Sequence, residues 1–146
     1  MPTDPMELGS MDLFAELSPA ELEQVQAIAH PVQVAEAEII TRIGAPARNF
    51  FVILSGNFMI AFKDDRAITL HDKGKIMGWS TVFSPFRYKG TTVALTDSEV
   101  VSIPGDKSLS LIQSNAALGN KIMNKINVIA SERMFFAQSA DPLDNF

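Results

Sequence analysis

Apolar residues change their spacing twice along the chain, and these changes divide it into a helix, a region of strands and a second helical region. Between Leu22 and Ala29 the apolar residues recur at helical spacing. The preceding segment Ser18-Pro19-Ala20-Glu21 supplies an N-cap, a first-turn proline and a capping-box glutamate. Because proline cannot continue a helix, Pro31 is expected to end it. The pattern predicts one N-terminal helix with a single apolar face.

From Val32 to about Ile103, short apolar runs alternate with turn residues. Such runs at a spacing of roughly ten residues favour a small β-sandwich or barrel. The predicted strands are 32–35, 39–43, 50–54, 58–62, 67–70, 91–95 and 100–103. The predicted fold class is therefore mainly β with flanking helices.

Helical spacing returns after Pro104, first in a short element at 108–113 and then in a long helix at about 116–137. The long helix carries an apolar stripe with heptad-like spacing, formed by Leu118, Ile122, Ile126, Ile129 and Phe136. Such a stripe at the end of a small domain usually packs into the hydrophobic core or forms the seam between the two subunits of a dimer. The opposite face carries polar side chains, namely Lys121, Lys125 and Glu132. We therefore interpret the stripe as a partly exposed seam of a homodimer.

The stretch from Gly78 to Gly90 interrupts the rhythm of the strands and is the strongest candidate for a binding site. It opens with a glycine and a short predicted helical turn, whose backbone N–H groups suit a phosphate. Lys89 then supplies a cation, and Thr91 and Thr92 supply hydroxyls. A turn followed by a strand, with no ligand, explains the same residues equally well.

The charge of the chain is unevenly distributed. The 146 residues suffice for one domain and carry a formal net charge of −5, which argues against a basic nucleic-acid surface. Residues 1–41 contain eight acidic residues and no Lys or Arg, whereas residues 42–89 contain eight basic and three acidic residues. The net +5 of this middle segment indicates either a solvated sheet surface or a site for a small anion.

The residue types of the chain give little indication of a catalytic or metal-binding site. The chain has no Cys, which excludes disulfides, thiolate catalysis and Cys-based zinc sites, and it has only two His. His30 is expected at a helix C-terminus and His71 beside a turn, both in structural roles. We expect no catalytic residue, no metal and no enzyme activity. Because the N-terminus is acidic and no apolar run approaches about 20 residues, we expect a cytoplasmic protein without membrane contact.

An ordered set of motifs lies between the two helical regions. It comprises Gly44, Phe51-Val52-Ile53-Leu54-Ser55-Gly56, the turn from Lys73-Gly74 to Met77-Gly78, and Ala94-Leu95-Thr96-Asp97-Ser98-Glu99-Val100. This set resembles the cyclic nucleotide-binding domain family of the catabolite activator protein and of the regulatory subunit of cyclic-AMP-dependent kinase. The resemblance implies a double-stranded β-helix, or jelly-roll-like β-roll, at about 32–103 within a domain at 12–137. It also implies a closing helix at about 116–137 that often dimerises, with tails at 1–11 and 138–146.

The resemblance weakens at the phosphate-binding cassette. In the family this cassette begins Gly-Glu, whose glutamate holds the ribose 2′-hydroxyl, and continues as Arg-Ser-Ala-Thr, whose arginine pairs with the cyclic phosphate. Here Gly78 is followed by Trp79, and the second string reads Tyr88-Lys89-Gly90-Thr91. A tyrosine hydroxyl does not replace a charge-assisted bond worth about 1.5–3 kcal/mol. Because neighbours on a strand point to opposite faces, Lys89 faces out if Tyr88 faces in, unless the chain there is irregular.

Two functional hypotheses remain open from the sequence. The first is a stand-alone regulatory or sensor module that acts through a homodimer or an unknown protein effector. Its altered pocket takes a cyclic nucleotide, another small anion or no cofactor, and is lined by Gly78, Trp79, Ser80, Tyr88, Lys89, Gly90 and Thr91. The alternative is a ligand-free interaction module, and unaltered cAMP or cGMP binding ranks below both.

Trp79 distinguishes these hypotheses. Its indole either fills the ribose space and closes the pocket, or stacks a different planar ligand beside a cation. Because the chain stops at Phe146 without a helix-turn-helix, we expect no direct DNA binding.

Overall fold

The computed structural model describes residues 7–82 and 86–136, and it contains three α-helices and eight strands in these ranges. The helices are α1 (Pro19–Gln26), α2 (Gly105–Ser114) and α3 (Ala116–Phe136). The strands are β1 (His30–Val34), β2 (Ile39–Thr41), β3 (Asn49–Ser55), β4 (Phe58–Phe62), β5 (Ala67–Leu70), β6 (Ile76–Met77), β7 (Gly90–Ala94) and β8 (Ser98–Pro104). Short 3₁₀ turns lie at Leu8–Ser10, Asp12–Phe14, Lys63–Asp65 and Trp79–Val82.

The strands form two four-stranded antiparallel sheets, ordered β1-β8-β3-β6 and β2-β7-β4-β5. In β3, Phe51 and Ile53 belong to a core cluster shared with the second sheet, while Phe50 and Val52 belong to a cluster shared with the helices. Successive strand residues point to opposite faces, so the burial of all four means that β3 is covered on both sides. The predicted β-roll with N-terminal and C-terminal helices is confirmed.

The largest differences from the sequence prediction concern the passage from α1 to β1 and an additional short strand, β6. Helix α1 ends at Gln26 rather than at Pro31, and His30 and Pro31 lie in β1 opposite Ser102 and Val101. Proline is tolerated there because β1 is an edge strand with one open side. The expected position of His30 at a helix C-terminus is therefore wrong. Strand β6 was not predicted because two apolar residues carry no recognisable periodicity.

Helix α1 begins with the predicted capping box. The Ser18 hydroxyl accepts from the Glu21 N–H at 3.2 Å, and the Glu21 carboxylate accepts from the Ser18 N–H at 2.8 Å. The same carboxylate accepts from the Lys121 ammonium at 2.6 Å, which joins α1 to α3. These bonds, led by that of Lys121, lower the pKa of Glu21. The N-terminal helix is thus tied to the C-terminal helix by charge as well as by packing.

The apolar stripe of α3 belongs to the core of its own chain. Leu118, Ile122 and Ile126 are buried with exposed fractions of 0%, 8% and 1%, and Ile129 packs against the same cluster. The expectation of a partly exposed seam is therefore wrong for the three buried side chains, which share a core cluster with Leu13, Phe14 and Val25, whereas Ile129 is only partly buried. The side chain of Phe136, the fifth member of the stripe, lies outside the described residues.

The N-terminal segment contributes to the same core. Leu8 and Met11, which the sequence places in a tail at 1–11, are buried with exposed fractions of 0% and 3%. Lys125 of α3 donates to the Asp12 carboxylate at 3.1 Å across this contact. The domain therefore includes residues from at least Leu8 onward. Within 7–82 and 86–136, none of the helices has the length and apolar character required to cross a bilayer.

We expect Ile126→Ala to lower the free energy of unfolding by about 2–5 kcal/mol, because it leaves a cavity in the cluster beneath α3. Val128→Ala is the matched control, since Val128 is 57% exposed two residues away on the same helix. It is expected to change stability by no more than about 0.5 kcal/mol. Urea denaturation followed by circular dichroism measures both variants. Equal losses would contradict the placement of the stripe in the core.

Candidate functional site

The candidate site is a cavity where the segment after β6 meets the second sheet. It is lined by Thr41, Ile60, Phe62, Gly78, Trp79, Ser80, Tyr88, Lys89, Gly90 and Thr92. Seven residues were predicted from the sequence to line a ligand pocket, and six of them line this cavity. The seventh, Thr91, is turned away, and its hydroxyl accepts from the Ile43 N–H at 3.0 Å.

The cavity is small. Its volume is about 30 Å³, whereas pockets that hold small organic ligands measure roughly 300–1,000 Å³. A single water needs about 10–15 Å³ of such volume. The space therefore accommodates groups of the size of a water molecule and excludes a nucleotide in this conformation.

The hydroxyl of Tyr88, which the sequence resemblance places at the arginine position of the family, is bonded within the protein. It donates to the Asn49 carbonyl at 2.6 Å and accepts from the Asn49 N–H at 3.0 Å. The side chain is 7% exposed, so these bonds form away from bulk water. The phenol of Tyr88 therefore joins its own segment to β3 through the N–H and the carbonyl of Asn49.

Gly78 makes this arrangement possible. Its φ is +80°, and a Cβ at this position would lie 2.9 Å from the Asn49 carbonyl oxygen and 3.1 Å from a ring carbon of Tyr88. Both separations are shorter than ordinary van der Waals contact, so only glycine fits without displacing a neighbour. The glycine that resembles the first residue of the family cassette here provides space for the tyrosine ring.

Trp79 is part of the core. It is 7% exposed and belongs to the cluster formed with Phe14, Phe50 and Leu118 beneath the helices. The predicted short helical turn at this point is present as the 3₁₀ turn Trp79–Val82. The indole therefore fills internal space rather than standing free to stack on a ligand.

The two threonine hydroxyls of the cavity wall are bonded internally. The Thr41 hydroxyl lies 2.7 Å from the Thr92 hydroxyl and 3.0 Å from the Gly90 carbonyl, and it accepts from the Thr92 N–H at 3.0 Å. Thr41 and Thr92 are 3% and 2% exposed. Sequence reasoning missed this pair, although the alternation of β7 from Gly90 would have indicated that Thr92, not Thr91, faces inward.

Lys89 is the cation on the cavity wall. It lines the cavity together with its neighbour Tyr88. Neighbouring residues point to opposite faces only within a strand. Because β7 begins only at Gly90, Tyr88 and Lys89 can both line the cavity. Arg87 is directed elsewhere, and its guanidinium donates to the Gly44 carbonyl at 2.9 Å. The charge next to the cavity therefore comes from a position beside that of the family arginine.

Burial raises the pKa of Tyr88, and its bonds to the backbone oppose this effect. A phenol with a raised pKa is neutral in the folded protein throughout the physiological range. Its contribution to stability is complete below the ordinary phenol pKa of about 10 and is lost as the pH rises further. Within the described ranges, no three His, Asp or Glu side chains converge to hold a metal ion.

Comparisons with known proteins identify the family of the chain. The sequence model of the cyclic nucleotide-binding domain matches residues 31–115, which is more than half of the chain. No match was found among curated proteins. One similar structure is a candidate cyclic nucleotide-binding protein from Geobacter metallireducens. It is 22% identical, has a TM-score of 0.80, and the match covers 91% of this chain and 99% of that one.

Two further solved structures share the fold. The sensor domain of the transcriptional regulator DNR from Pseudomonas aeruginosa is 22% identical with a TM-score of 0.70, covering 90% of this chain and 96% of that one. The regulatory subunit of a cAMP-independent protein kinase A from Trypanosoma brucei is 14% identical with a TM-score of 0.71. That match covers 85% of this chain and 44% of the subunit. At these identities the likeness shows the fold alone.

Replacing Tyr88 by Phe is expected to lower the free energy of unfolding by about 1–3 kcal/mol, because both polar groups of Asn49 lose their partner. The control is Ser114→Ala, which removes an exposed hydroxyl bonded to the Leu111 carbonyl at 3.3 Å and is expected to change little. Urea denaturation at neutral pH measures both.

A second readout uses the fact that the chain has one Tyr. Phenolate absorbance followed during an alkaline titration should show ionisation above the ordinary pKa of about 10 in the folded protein. Ionisation at the ordinary value, together with an unchanged stability of Tyr88→Phe, would show that the pair of bonds does not form.

Proposed function

Because the chain belongs to the cyclic nucleotide-binding domain family, we propose that it is a regulatory module whose ligand space is occupied by its own side chains. In this proposal the module is a binding protein rather than an enzyme, and it acts without cAMP or cGMP through contacts with other proteins. The engagement of the Tyr88 hydroxyl by Asn49 carries the proposal. The Tyr88 hydroxyl carries no positive charge, and its proton is already donated to Asn49, so it cannot replace an arginine as the partner of a cyclic phosphate.

Three observations support the closed site. The cavity of about 30 Å³ cannot hold a nucleotide. Trp79, which the sequence resemblance places where a glutamate would bind the ribose, is packed into the core. The hydroxyls of Thr41 and Thr92 bond to each other and to the backbone of β7. Opening the site would therefore break several satisfied buried contacts, each of which stabilises the closed form.

A family precedent for action without the nucleotide is consistent with this proposal. The Trypanosoma brucei subunit is called cAMP-independent, and a variant of it with an arginine in place of threonine and two alanine substitutions is bound to cAMP in its A site. In the present chain, Tyr88 stands where the family arginine is expected. We infer that the loss of that arginine removes cAMP binding here.

A second candidate function rests on Lys89. Its presence on the cavity wall favours a sensor for a very small anion, since a cation beside polar backbone attracts negative charge. The ligand-free module accounts for more of the structure, because Tyr88, Thr41 and Thr92 are already paired.

Isothermal titration of the protein with cAMP and cGMP tests the proposal. We expect no saturable binding up to about 1 mM, which corresponds to a binding free energy weaker than about −4 kcal/mol. Inorganic phosphate is titrated in parallel to test the second candidate. Micromolar binding of either nucleotide would contradict the closed site.

The variant Trp79→Glu/Tyr88→Arg restores the two family residues and is the matched comparison. If circular dichroism shows that it folds, we expect it to gain cAMP binding that the unchanged protein lacks. The result for the unchanged protein decides the proposal whether or not the variant folds.

We further propose that the module forms a homodimer through the outward face of α3 rather than through its buried stripe. The exposed residues Asn120, Asn124, Asn127 and Ser131 follow each other at intervals of four, three and four, which is heptad spacing, and none is charged. Val128, beside them, is 57% exposed. Lys121 and Lys125, which flank this face, are already paired with Glu21 and Asp12, and this pairing reduces their repulsion between two copies.

Light scattering coupled to gel filtration is expected to report a dimer. The variant Asn124→Lys/Asn127→Lys should shift it to monomer, because it places like charges opposite each other in a two-fold contact. Gln113→Lys on α2 is the control, since it adds an exposed charge outside this face. A monomer at every concentration would refute the dimer while leaving the ligand-free site unaffected.

A further inference from the structure

Two segments outside the cavity, residues 42–48 and 86–89, form a short two-stranded ribbon that we call the basic ribbon. Three backbone bonds hold it: Gly44 N–H to the Tyr88 carbonyl at 2.8 Å, Tyr88 N–H to the Ala45 carbonyl at 2.9 Å, and Ala47 N–H to the Phe86 carbonyl at 2.8 Å. Because Tyr88 is also bonded to Asn49, the ribbon is anchored to β3 at its centre. Its surface is therefore presented by a fixed backbone.

The basic ribbon carries positive charge without compensation. Its cations are Arg42, Arg48, Arg87 and Lys89, and neither segment contains an Asp or Glu. Among the carboxylate side chains that the structure describes, none pairs with any of the four. Three of the four are arginines, whose planar guanidinium binds carboxylates in a bidentate manner. This concentration of cations is unusual for a chain whose net charge is −5.

Two large apolar side chains are exposed on the same ribbon. Ile43 is 47% exposed in a tight turn closed by the Ala45 N–H and the Arg42 carbonyl at 3.0 Å. Its own N–H is held by the Thr91 hydroxyl. Phe86 is 42% exposed and has a φ of +59°. A bulky residue in this left-handed region is strained, and such strain concentrates at functional positions.

We propose that the basic ribbon binds an acidic segment of a partner protein that also presents an aliphatic or aromatic side chain. Carboxylates of the segment would pair with Arg42 and Arg48, while its apolar side chain would cover Ile43 or Phe86. This inference rests on the proposed function, since a module without a nucleotide acts through protein contacts. The fixed ribbon reduces the entropy lost on binding, which favours affinity from a small surface.

Charge complementarity is what selects this occupant. Uncompensated arginines attract carboxylates, and the two exposed apolar groups add burial that a purely electrostatic contact lacks. An anionic bilayer would also attract the cations. However, a bilayer is an extended surface that meets the whole protein with its net charge of −5, whereas a short segment meets the basic ribbon alone. The partner is therefore expected to be a protein segment.

Selection from a random dodecapeptide library displayed on phage tests the proposal with the full chain as bait. The enriched peptides are expected to combine Asp or Glu with Leu, Ile, Phe or Trp. One such peptide, synthesised with a fluorescent label, should bind with an affinity that falls as salt is added. Arg42→Glu/Arg48→Glu and Ile43→Ser/Phe86→Ser should each weaken it by at least about tenfold.

The matched controls carry the same kinds of change elsewhere. Val32→Ser/Leu95→Ser removes two apolar side chains that are 39% and 40% exposed, and Lys75→Glu reverses an exposed cation near β6. Both should bind the peptide as the unchanged protein does, and thermal unfolding verifies that every variant is folded.

Three results would overturn the proposal. They are no enrichment, enriched peptides without acidic residues, and binding that persists in both ribbon variants. Vesicles of phosphatidylcholine and phosphatidylserine form a further arm, and binding to them that depends on the ribbon would assign it to membranes instead. Micromolar cAMP binding in the separate titration would contradict the ligand-free function, whereas a failed selection would remove only the docking surface.

Discussion

The Tyr88 hydroxyl, bonded to both the N–H and the carbonyl of Asn49, is the contact on which the surrounding structure depends. It requires the absence of a side chain at Gly78, because a Cβ there would meet the same carbonyl at 2.9 Å. The backbone of Tyr88 is bonded in turn to Gly44 and Ala45, which ties the basic ribbon to the cassette. Tyr88 thus connects strand β3, the cavity wall and the basic ribbon.

Local rules were sufficient to predict much of the fold. The capping box of α1 was predicted because Ser18 and Glu21 act on neighbouring backbone groups that sequence spacing fixes. The strands were predicted because turn residues interrupt apolar runs at regular intervals. The end of α1 was misplaced because proline was taken as a helix terminator, whereas Pro31 is accommodated in an edge strand through pairing with distant β8.

The site and the helix stripe were harder to predict because they depend on which surfaces meet. A heptad-like stripe has the same spacing whether it packs on its own chain or on a second copy. Only the position of the N-terminal segment, including Leu8 and Met11, shows that it is core. Similarly, the spacing of Thr91 and Thr92 did not reveal which one faces inward, because this depends on β7 beginning at Gly90. The composition alone could not place Trp79 in the core rather than in a ligand pocket.

A domain that responds to a nucleotide must bind it more strongly in one conformation than in another. If a side chain already supplies the contacts that close the site, the closed form is populated without ligand. A nucleotide then cannot shift the population towards that form. In the proposed module Tyr88 has this effect, because its bonds to Asn49 are intramolecular and need no ligand. Changes in the state of such a module must then come from groups that remain unpaired on its surface. Arg42, Arg48 and the exposed apolar side chains of the basic ribbon are such groups. Their backbone connection to Tyr88 means that a partner bound there contacts the same element that lines the cavity.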